Sequence, residues 1–343
     1  MEKQMTAEKN IDHDPFLVSV LIPAYNVEKY IERCINSVVN QNYSPLECVI
    51  VDDGSSDGTP DRIRMFLQDY KGDVSFTFIQ QEKNLGVAST RNQLVETAKG
   101  DYVFFLDSDD EIIPECISLM MSSVKAHPDI EVVQGLIHSI PDNAIYHLDR
   151  YKDIEYMDDN NWLRRDFFKN VDYFPCQVWN KLIASSFIKT YGLHFKPGII
   201  HEDHDWMIHA ARKLSKFSFV HYHTYVHHYR DNSIMMTNNN YSQYSNDSWA
   251  IILNDALSTI DEPFPIHQIN KLCTEFLYRY HLDRESYNEV KQTLLHAMCK
   301  YRLYLGAVLI LLFTIFFKNK GNWRCKTFIT KYLSDKAKKE RIP

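Results

Sequence analysis

Three short acidic stretches of this chain carry side chains suited to chemistry. In "YVFFLDSDDEI", Tyr102 to Ile112, an apolar run meets Asp107, Ser108, Asp109 and Asp110. Three carboxylates this close repel one another unless a cation lies between them. Hard oxygen ligands so spaced suit Mg2+ or Mn2+, which also takes phosphate oxygens. The competing reading is an Asx-rich turn before the helix that starts at Ile113. In "VDDGSSDGT", Asp52 and Asp53 end an apolar run, and Gly54 and Gly58 permit tight turns. Asp52 can accept from a ring N–H; the alternative is a turn leading to an N-cap at Thr59 with Pro60 behind it. In "GIIHEDHDW", Glu202, Asp203 and Asp205 crowd one turn. An acid there can take a proton from a hydroxyl, or only favour a helix N-terminus.

Such groups need rigid elements beneath them. "FLVSVLIP" (16–23), "LECVIV" (46–51), "VSFTFIQ" (74–80) and "DYVFFL" (101–106) read as strands. Between and after them, 27–41, 59–70, 86–100 and 113–126 have helical spacing or boundaries. Strand–helix alternation predicts an α/β fold with a mostly parallel sheet covered on both faces. Ligands then bind beyond the carboxyl ends of the strands, where the strand order switches. Pro23-Ala24-Tyr25, Asp52-Asp53 and the Asp107–Asp110 run all fall at such ends. Past residue 130 the alternation weakens. "WNKLIASSFIKTYGLHF" suggests a helix leading to a short strand at Phe195, 205–214 a helix, 217–229 a strand, and 246–300 helices.

The net charge of -7 argues against nucleic-acid binding. Seven cysteines without CxxC pairing suggest a reducing compartment, and Cys34 and Cys48 sit among apolar neighbours as small hydrophobes. The polar start, "MEKQMTAEKNIDHD", is no signal peptide. These features predict a cytoplasmic body.

"VSVLIPAYNVEKYIERCINSVVNQNY", "ECVIVDDGSSDGT", "NLGVASTRN" and "GDYVFFLDSDD", in that order, resemble the inverting family 2 glycosyltransferases of GT-A fold. "WNKLIASSFI" and "GIIHEDHDW" resemble the acceptor-side segment of bacterial polysaccharide and lipopolysaccharide glycosyltransferases, so the resemblance covers about residues 16–235. It implies a nucleotide pocket lined by Pro23, Ala24 and Tyr25, with Glu28 near it. Asp52 would hold the base, and Asp53 would support that loop. Arg91 would face base or phosphates, its plain alternative being a helix-surface arginine. Thr90 stands where the family usually has alanine. Asp107 would meet ribose or sugar with Ser108 beside it, and Asp109 would hold the metal, Mn2+ or Mg2+, with Asp110 as helper. Asp203 would be the base and Glu202 its support. Arg230 and Ser233 resemble a segment near the diphosphate.

The implied chemistry is one displacement. A carboxylate deprotonates an acceptor hydroxyl as it attacks the anomeric carbon opposite the leaving diphosphate. The donor expected is a nucleotide sugar, UDP-linked by preference, and the acceptor a glycan or a lipid-linked sugar. A sugar nucleotidyltransferase would show a glycine-rich basic segment where "IPAYNVEKYI" stands. A donor-binding scaffold without catalysis is the non-enzymatic alternative. Histidines 201, 204, 209, 221, 223, 227 and 228 do not match zinc spacing, and some are expected on sugar or diphosphate. Trp162, Trp179 and Trp206 offer sugar-stacking faces or core packing, Trp179 being read as structural.

The expected organisation is a flexible start at 1–15, then a catalytic domain at 16–235. Its nucleotide-sugar half is 16–125 and its acceptor half 126–235. A helical C-terminal extension at 236–300 and an apolar helix with a basic tail at 301–343 complete the chain. "LYLGAVLILLFTIFF", 303–317, would span roughly 22 Å as a helix, short of a ~30 Å hydrocarbon core. From Lys318 to Arg341 there are nine Lys/Arg against Asp335 and Glu340. These features predict peripheral attachment to the cytoplasmic face of the inner membrane, each basic residue near anionic lipid adding about 1 kcal/mol. Burial within the chain or in a homodimer is the alternative.

Overall fold

The computed structural model describes residues 13–141, 153–159 and 176–229, with 248, 251, 252 and 255. The expected N-terminal alternation is present. β1 (His13–Ala24), β2 (Ser44–Asp52), β3 (Ser75–Gln80) and β4 (Tyr102–Phe105) are connected by α1 (Ile31–Val39), α2 (Thr59–Asp69) and α3 (Val87–Thr97). These strands pair in parallel in the order β3-β2-β1-β4. The chain moves outward from β1 to β3 and then returns to the other side of β1. The order therefore switches between β1 and β4, the place where a crevice opens at strand carboxyl ends.

α1 buries Ile31, Cys34, Ile35 and Val38, one face of a 3.6-residue period. It starts four residues later than the apolar spacing predicts. Asn26 and Val27 spend their N–H groups on Ser55 Oγ (2.9 Å) and Thr59 Oγ1 (2.8 Å), so the segment before Ile31 is a turn. Gly54 is required there by close approach. A Cβ on it would lie 2.5 Å from the Lys83 backbone, and its φ is +68°.

Beyond β4 come β5 (Glu111–Ile112), α4 (Cys116–Ala126), β6 (Val132–Ile140), β7 (Tyr156–Met157), β8 (Lys181–Ala184), α5 (Ser185–Tyr191), α6 (Glu202–Lys213) and β9 (Phe217–His228). The sheet continues from β4 as β8-β6-β9-β5, with β7 also on β9. Here the pairing is mixed. β8 is antiparallel to β4 and β6, β6 is parallel to β9, and β5 and β7 run antiparallel to β9.

The expected helix across 179–195 is instead strand β8 followed by α5. Lys181 to Ala184 are all buried between β4 and β6, and an apolar run this short carries no decisive period. Nor does Phe195 lie in a strand. Its N–H and C=O both pair with the Asn92 side-chain amide, each at 2.8 Å, which supplies the hydrogen bonds a neighbouring strand would give.

β9 does not run evenly along β6. Gly135 is opposite Val220, Leu136 opposite His223, and Ile137 opposite Tyr225, so β9 carries extra residues at two steps. The irregularity frees two carbonyls, and the Asn180 amide nitrogen donates to both, Gly135 at 2.9 Å and Leu136 at 3.0 Å. Asn180 Oδ1 accepts from Thr224 Oγ1 at 2.7 Å. A Cβ on Gly135 would fall 1.9 Å from Thr224 Oγ1, so this crossing leaves no room for a side chain. The end of β9 is thereby brought alongside β5, next to the Asp107–Asp110 loop.

The chain divides into two compact units. One comprises Met1–Arg164, Asp172–Gly198 and Glu202–Met236; the other comprises Arg165–Val171, Ile199–His201 and Thr237–Pro343. Within the second, Ile200 N–H donates to Ser248 Oγ at 3.0 Å. Among the described residues no helix is long and apolar enough to cross a membrane. The segments 236–247, 256–300 and 301–343, and with them the expected C-terminal helices and tail, lie outside the described residues.

Asn180→Ala should lower stability by about 2 kcal/mol, since it removes the buried hydrogen bonds of the Asn180 amide to Gly135, Leu136 and Thr224 at the β6–β9 crossing. A urea midpoint shifted downward at unchanged slope is the expected result.

Candidate active site

The rim starts with two loops tied together. Asp53 N–H donates to the Ala24 carbonyl at 2.8 Å, Ser56 N–H to Asn26 Oδ1 at 2.9 Å, and Glu28 Oε2 accepts from Gly58 N–H at 3.2 Å. Pro23 is half-buried, Ala24 buried and Tyr25 44% exposed, so the tyrosine ring stands at the edge of the rim. Glu28 holds the start of α2 and sits near Arg62 (3.9 Å). Asp52 is fully buried. One of its oxygens accepts from Ser55 N–H at 3.1 Å, while Oδ1 finds no partner among the described residues. A buried carboxylate oxygen left so is costly unless a ligand donor meets it. Asp53 accepts from Leu85 N–H (2.7 Å) and Gly86 N–H (3.0 Å), bracing the loop that leads into α3.

The second group follows β4. Asp107 and Asp109 are half-buried, whereas Ser108 and Asp110 are buried. The Tyr225 hydroxyl clasps this loop from β9, donating to Asp110 Oδ2 at 2.8 Å and accepting from Asp107 N–H at 3.1 Å. Asp110 Oδ1 accepts from His228 N–H at 2.7 Å. Both oxygens of Asp110 are thus engaged by β9, one hydrogen bond to each. Burial, reinforced by Asp109 and Asp107, pushes its pKa up to about 8. Arg33 Nη2 donates to the Asp109 carbonyl at 2.6 Å, and its Nε lies 3.1 Å from Glu111.

The third group is the first turn of α6, where Glu202, Asp203 and Asp205 stand at the positive end of the helix. Arg91 connects this turn to the second group. Its Nη1 donates to Glu202 and its Nη2 lies 3.1 Å from Asp107 Oδ1, with the guanidinium 5.7 Å from the centre of the Phe195 ring. Arg91 is 5% exposed, so the helix-surface alternative does not hold. Burial opposes its charge, but Glu202 and Asp107 outweigh this and raise its pKa.

Asp203 has a side chain 23% exposed. Its Oδ1 takes both His204 N–H (2.8 Å) and His204 Nδ1 (3.1 Å). Burial works against its charge, yet His204 and Arg91 hold its pKa down at about 2. The other ring nitrogen of His204 meets Cys176 Sγ at 2.8 Å. Nearby, Lys181 is fully buried on β8, its Nζ donating to the Gln177 carbonyl at 2.5 Å. Burial lowers its pKa to about 7 against the opposing pull of Cys176 and Asp203.

The sequence-predicted Asp107, Arg91, Glu202 and Asp203 thus come together. Arg230, Ser233 and Trp162 lie outside the described residues. Trp206 is a core residue stacked 5.6 Å from Phe195, and Trp179 packs on Tyr225 (4.7 Å) and His227 (5.5 Å). Tyr225, Lys181 and Cys176 were not among the predicted site residues. A lysine inside the apolar run "WNKLIA" was the available signal for one of them.

Comparison with known proteins adds to this geometry. The chain shares its fold with residues 1–349 of TarS from S. aureus, solved in complex with UDP-GlcNAc. The TM-score is 0.63 at 19% identity, over 82% of this chain and 81% of that one. The architecture is the GT-A fold. Residues 19–190, half of the chain, match the family model described as glycosyl transferase family 2, and the chain belongs to that family. EpsH of Bacillus subtilis (strain 168), a glycosyltransferase by name, is 31% identical over 178 residues, covering 52% of this chain and 50% of EpsH. The glycosyltransferase GlyG of Streptococcus pneumoniae serotype 4 is 28% identical over 228 residues, 64% of this chain and 73% of GlyG. Chondroitin synthase of Escherichia coli is 41% identical over 109 residues, 32% of this chain and 15% of the synthase. The chain spans half the length of EpsH and less of the synthase.

Lys181 yields a pH prediction. Its pKa is about 7 in the folded chain and about 10.4 unfolded, so the unfolded chain binds more protons between those values. Stability should rise with pH across that window, and Lys181→Met should flatten the rise. Urea midpoints at several pH values between 7 and 10 test this; an unchanged rise in the variant would exclude Lys181 as its source.

Proposed function

We propose that this chain is an inverting glycosyltransferase. It moves a sugar from a nucleoside diphosphate sugar, UDP-linked by preference, to a hydroxyl of a glycan or lipid-linked acceptor in bacterial surface polysaccharide synthesis. Membership of family 2 supports the reaction class, and the polymer-building names among the relatives support the process. The UDP preference rests on the family resemblance of the N-terminal motifs. The observation that carries the reading is Arg91, which ties Asp107 at the donor rim to Glu202 in the acid turn of α6.

In this reading Asp52 Oδ1 receives the nucleobase N–H, which removes the cost of an unpartnered buried oxygen. Tyr25 and Pro23 flank the base, and Asp53 keeps the loop before α3 in place. Glu202 is committed to Arg91, so Asp203 is left to take the proton of the acceptor hydroxyl. Its low pKa keeps it ionised at neutral pH. A single displacement then inverts the anomeric centre. The hard, partly exposed carboxylates of Asp107 and Asp109 fit a divalent ion such as Mn2+ or Mg2+. When bound, that ion would supply Lewis-acid stabilisation of the diphosphate.

Three measurements on the purified chain separate donor binding from chemistry. With Mn2+, UDP should raise the melting temperature more than GDP or dTDP. Asp109→Ala should lose that rise, whereas Asp203→Asn should keep it. Both variants should lower metal-dependent UDP release from UDP-sugars by about a hundredfold or more. Equal melting in all three nucleotides would remove the pocket assignment. The same reading places the chain at the membrane surface through 303–317 and the basic tail. Deleting 301–343 should shift it from the membrane to the soluble fraction, and unchanged fractionation would overturn that placement.

A further inference from the structure

The acid turn of α6 also enters a constellation of which sugar transfer uses only Asp203. Cys176 precedes β8, and His204 and Asp203 open α6, so two separate stretches of chain bring the three together. The imidazole is fixed at both ends. Nδ1 lies 3.1 Å from Asp203 Oδ1, the oxygen that also accepts His204 N–H at 2.8 Å, and Nε2 lies 2.8 Å from Cys176 Sγ. A nucleophile within reach of a base, with the base oriented by a third group, is the arrangement that activates a thiol. Burial opposes a charge on His204, but Cys176 and Asp203 raise its pKa well above the ordinary histidine value. The other charged groups acting here are Lys181, on Cys176 and Asp203, and Arg91 and Glu202, on Asp203.

The remaining described cysteines differ in kind. Cys34, Cys48 and Cys116 are fully buried, and burial raises their thiol pKa values. Cys176 is only partly buried.

We propose that Cys176 is a covalent modification site for soft electrophiles, small disulfides in particular, with His204 receiving the thiol proton. The sulfur of Cys176 bonds to one sulfur of the disulfide. The disulfide's own S–S bond breaks, and its second sulfur leaves with the electron pair as a thiolate, which can take the proton held on His204. The products are a mixed disulfide and a small thiol, so no further oxidant is consumed. An adduct removes the thiol proton that joins Sγ to Nε2, so the imidazole loses that partner and with it one of the two restraints that hold it against Asp203. Any effect on transfer rests on Asp203 being the base; the labelling does not.

Full-length chain treated with glutathione disulfide, then digested and read by mass spectrometry, tests this. Cys176 should be labelled before Cys34, Cys48 and Cys116. His204→Gln, checked for an unchanged melting temperature, should slow the labelling about tenfold or more. Should that variant fail to fold, Asp203→Asn, which keeps the ring and loses its orienting charge, should slow it likewise. UDP release should fall in step with the adduct and return on reduction. Cys176 left unlabelled, or labelled at one rate in parent and variant, would overturn the site. An adduct without loss of an otherwise demonstrated transfer would overturn its coupling to Asp203. Absence of transfer in untreated chain would instead count against the proposed function alone.

Discussion

A single buried guanidinium holds the rim together. Arg91 stands on α3, reaches Asp107 beyond β4, and pairs with Glu202 at the head of α6. Taking the Arg91 cation and the Glu202 carboxylate out of water costs several kcal/mol per ion, and only close pairing, with the half-buried Asp107 adding to it, offsets that cost. That cost explains the geometry around them. The three groups have to remain in contact, so the elements that carry them cannot drift apart. Phe195 closes one side, placing its ring against the guanidinium while its backbone is held by Asn92, the residue after Arg91.

β9 performs the corresponding task for the loop after β4. Its irregular pairing with β6, secured by Asn180, brings Tyr225 and His228 to Asp110. Repulsion among Asp107, Asp109 and Asp110 is then relieved in two ways. Arg91 pairs with Asp107, and Tyr225 O–H and His228 N–H donate to the two oxygens of Asp110. A carboxylate cluster that looks unstable in the sequence is thus supported from two directions.

The parallel half and its strand ends were legible because buried parallel strands announce themselves as apolar runs, and acids stand out at their ends. The positions of Asp52 and Asp107 followed from that, and the role of Arg91 from the family resemblance. What the sequence concealed depends on pairing over long separations. Tyr225 meets Asp110 across 115 residues, and Asn180 meets Gly135 across 45. β8 was hidden because four buried residues are too few to show a period, and Phe195 because a side-chain amide stands in for a strand. The hydrogen-bond partners of Asp110 could not be read at all, since β9 supplies them from far along the chain.

The Asn92–Phe195 brace has a consequence for recombination within the family. The two halves, 16–125 and 126–235, look separable along the chain, yet a residue of the first completes the backbone hydrogen bonding of the second. A chimaera joined near residue 126 would inherit one member of that pair from each parent. The seam that matters runs through space, between α3 and the segment after α5, and a graft of a foreign acceptor half has to carry its own counterpart of Asn92 with it.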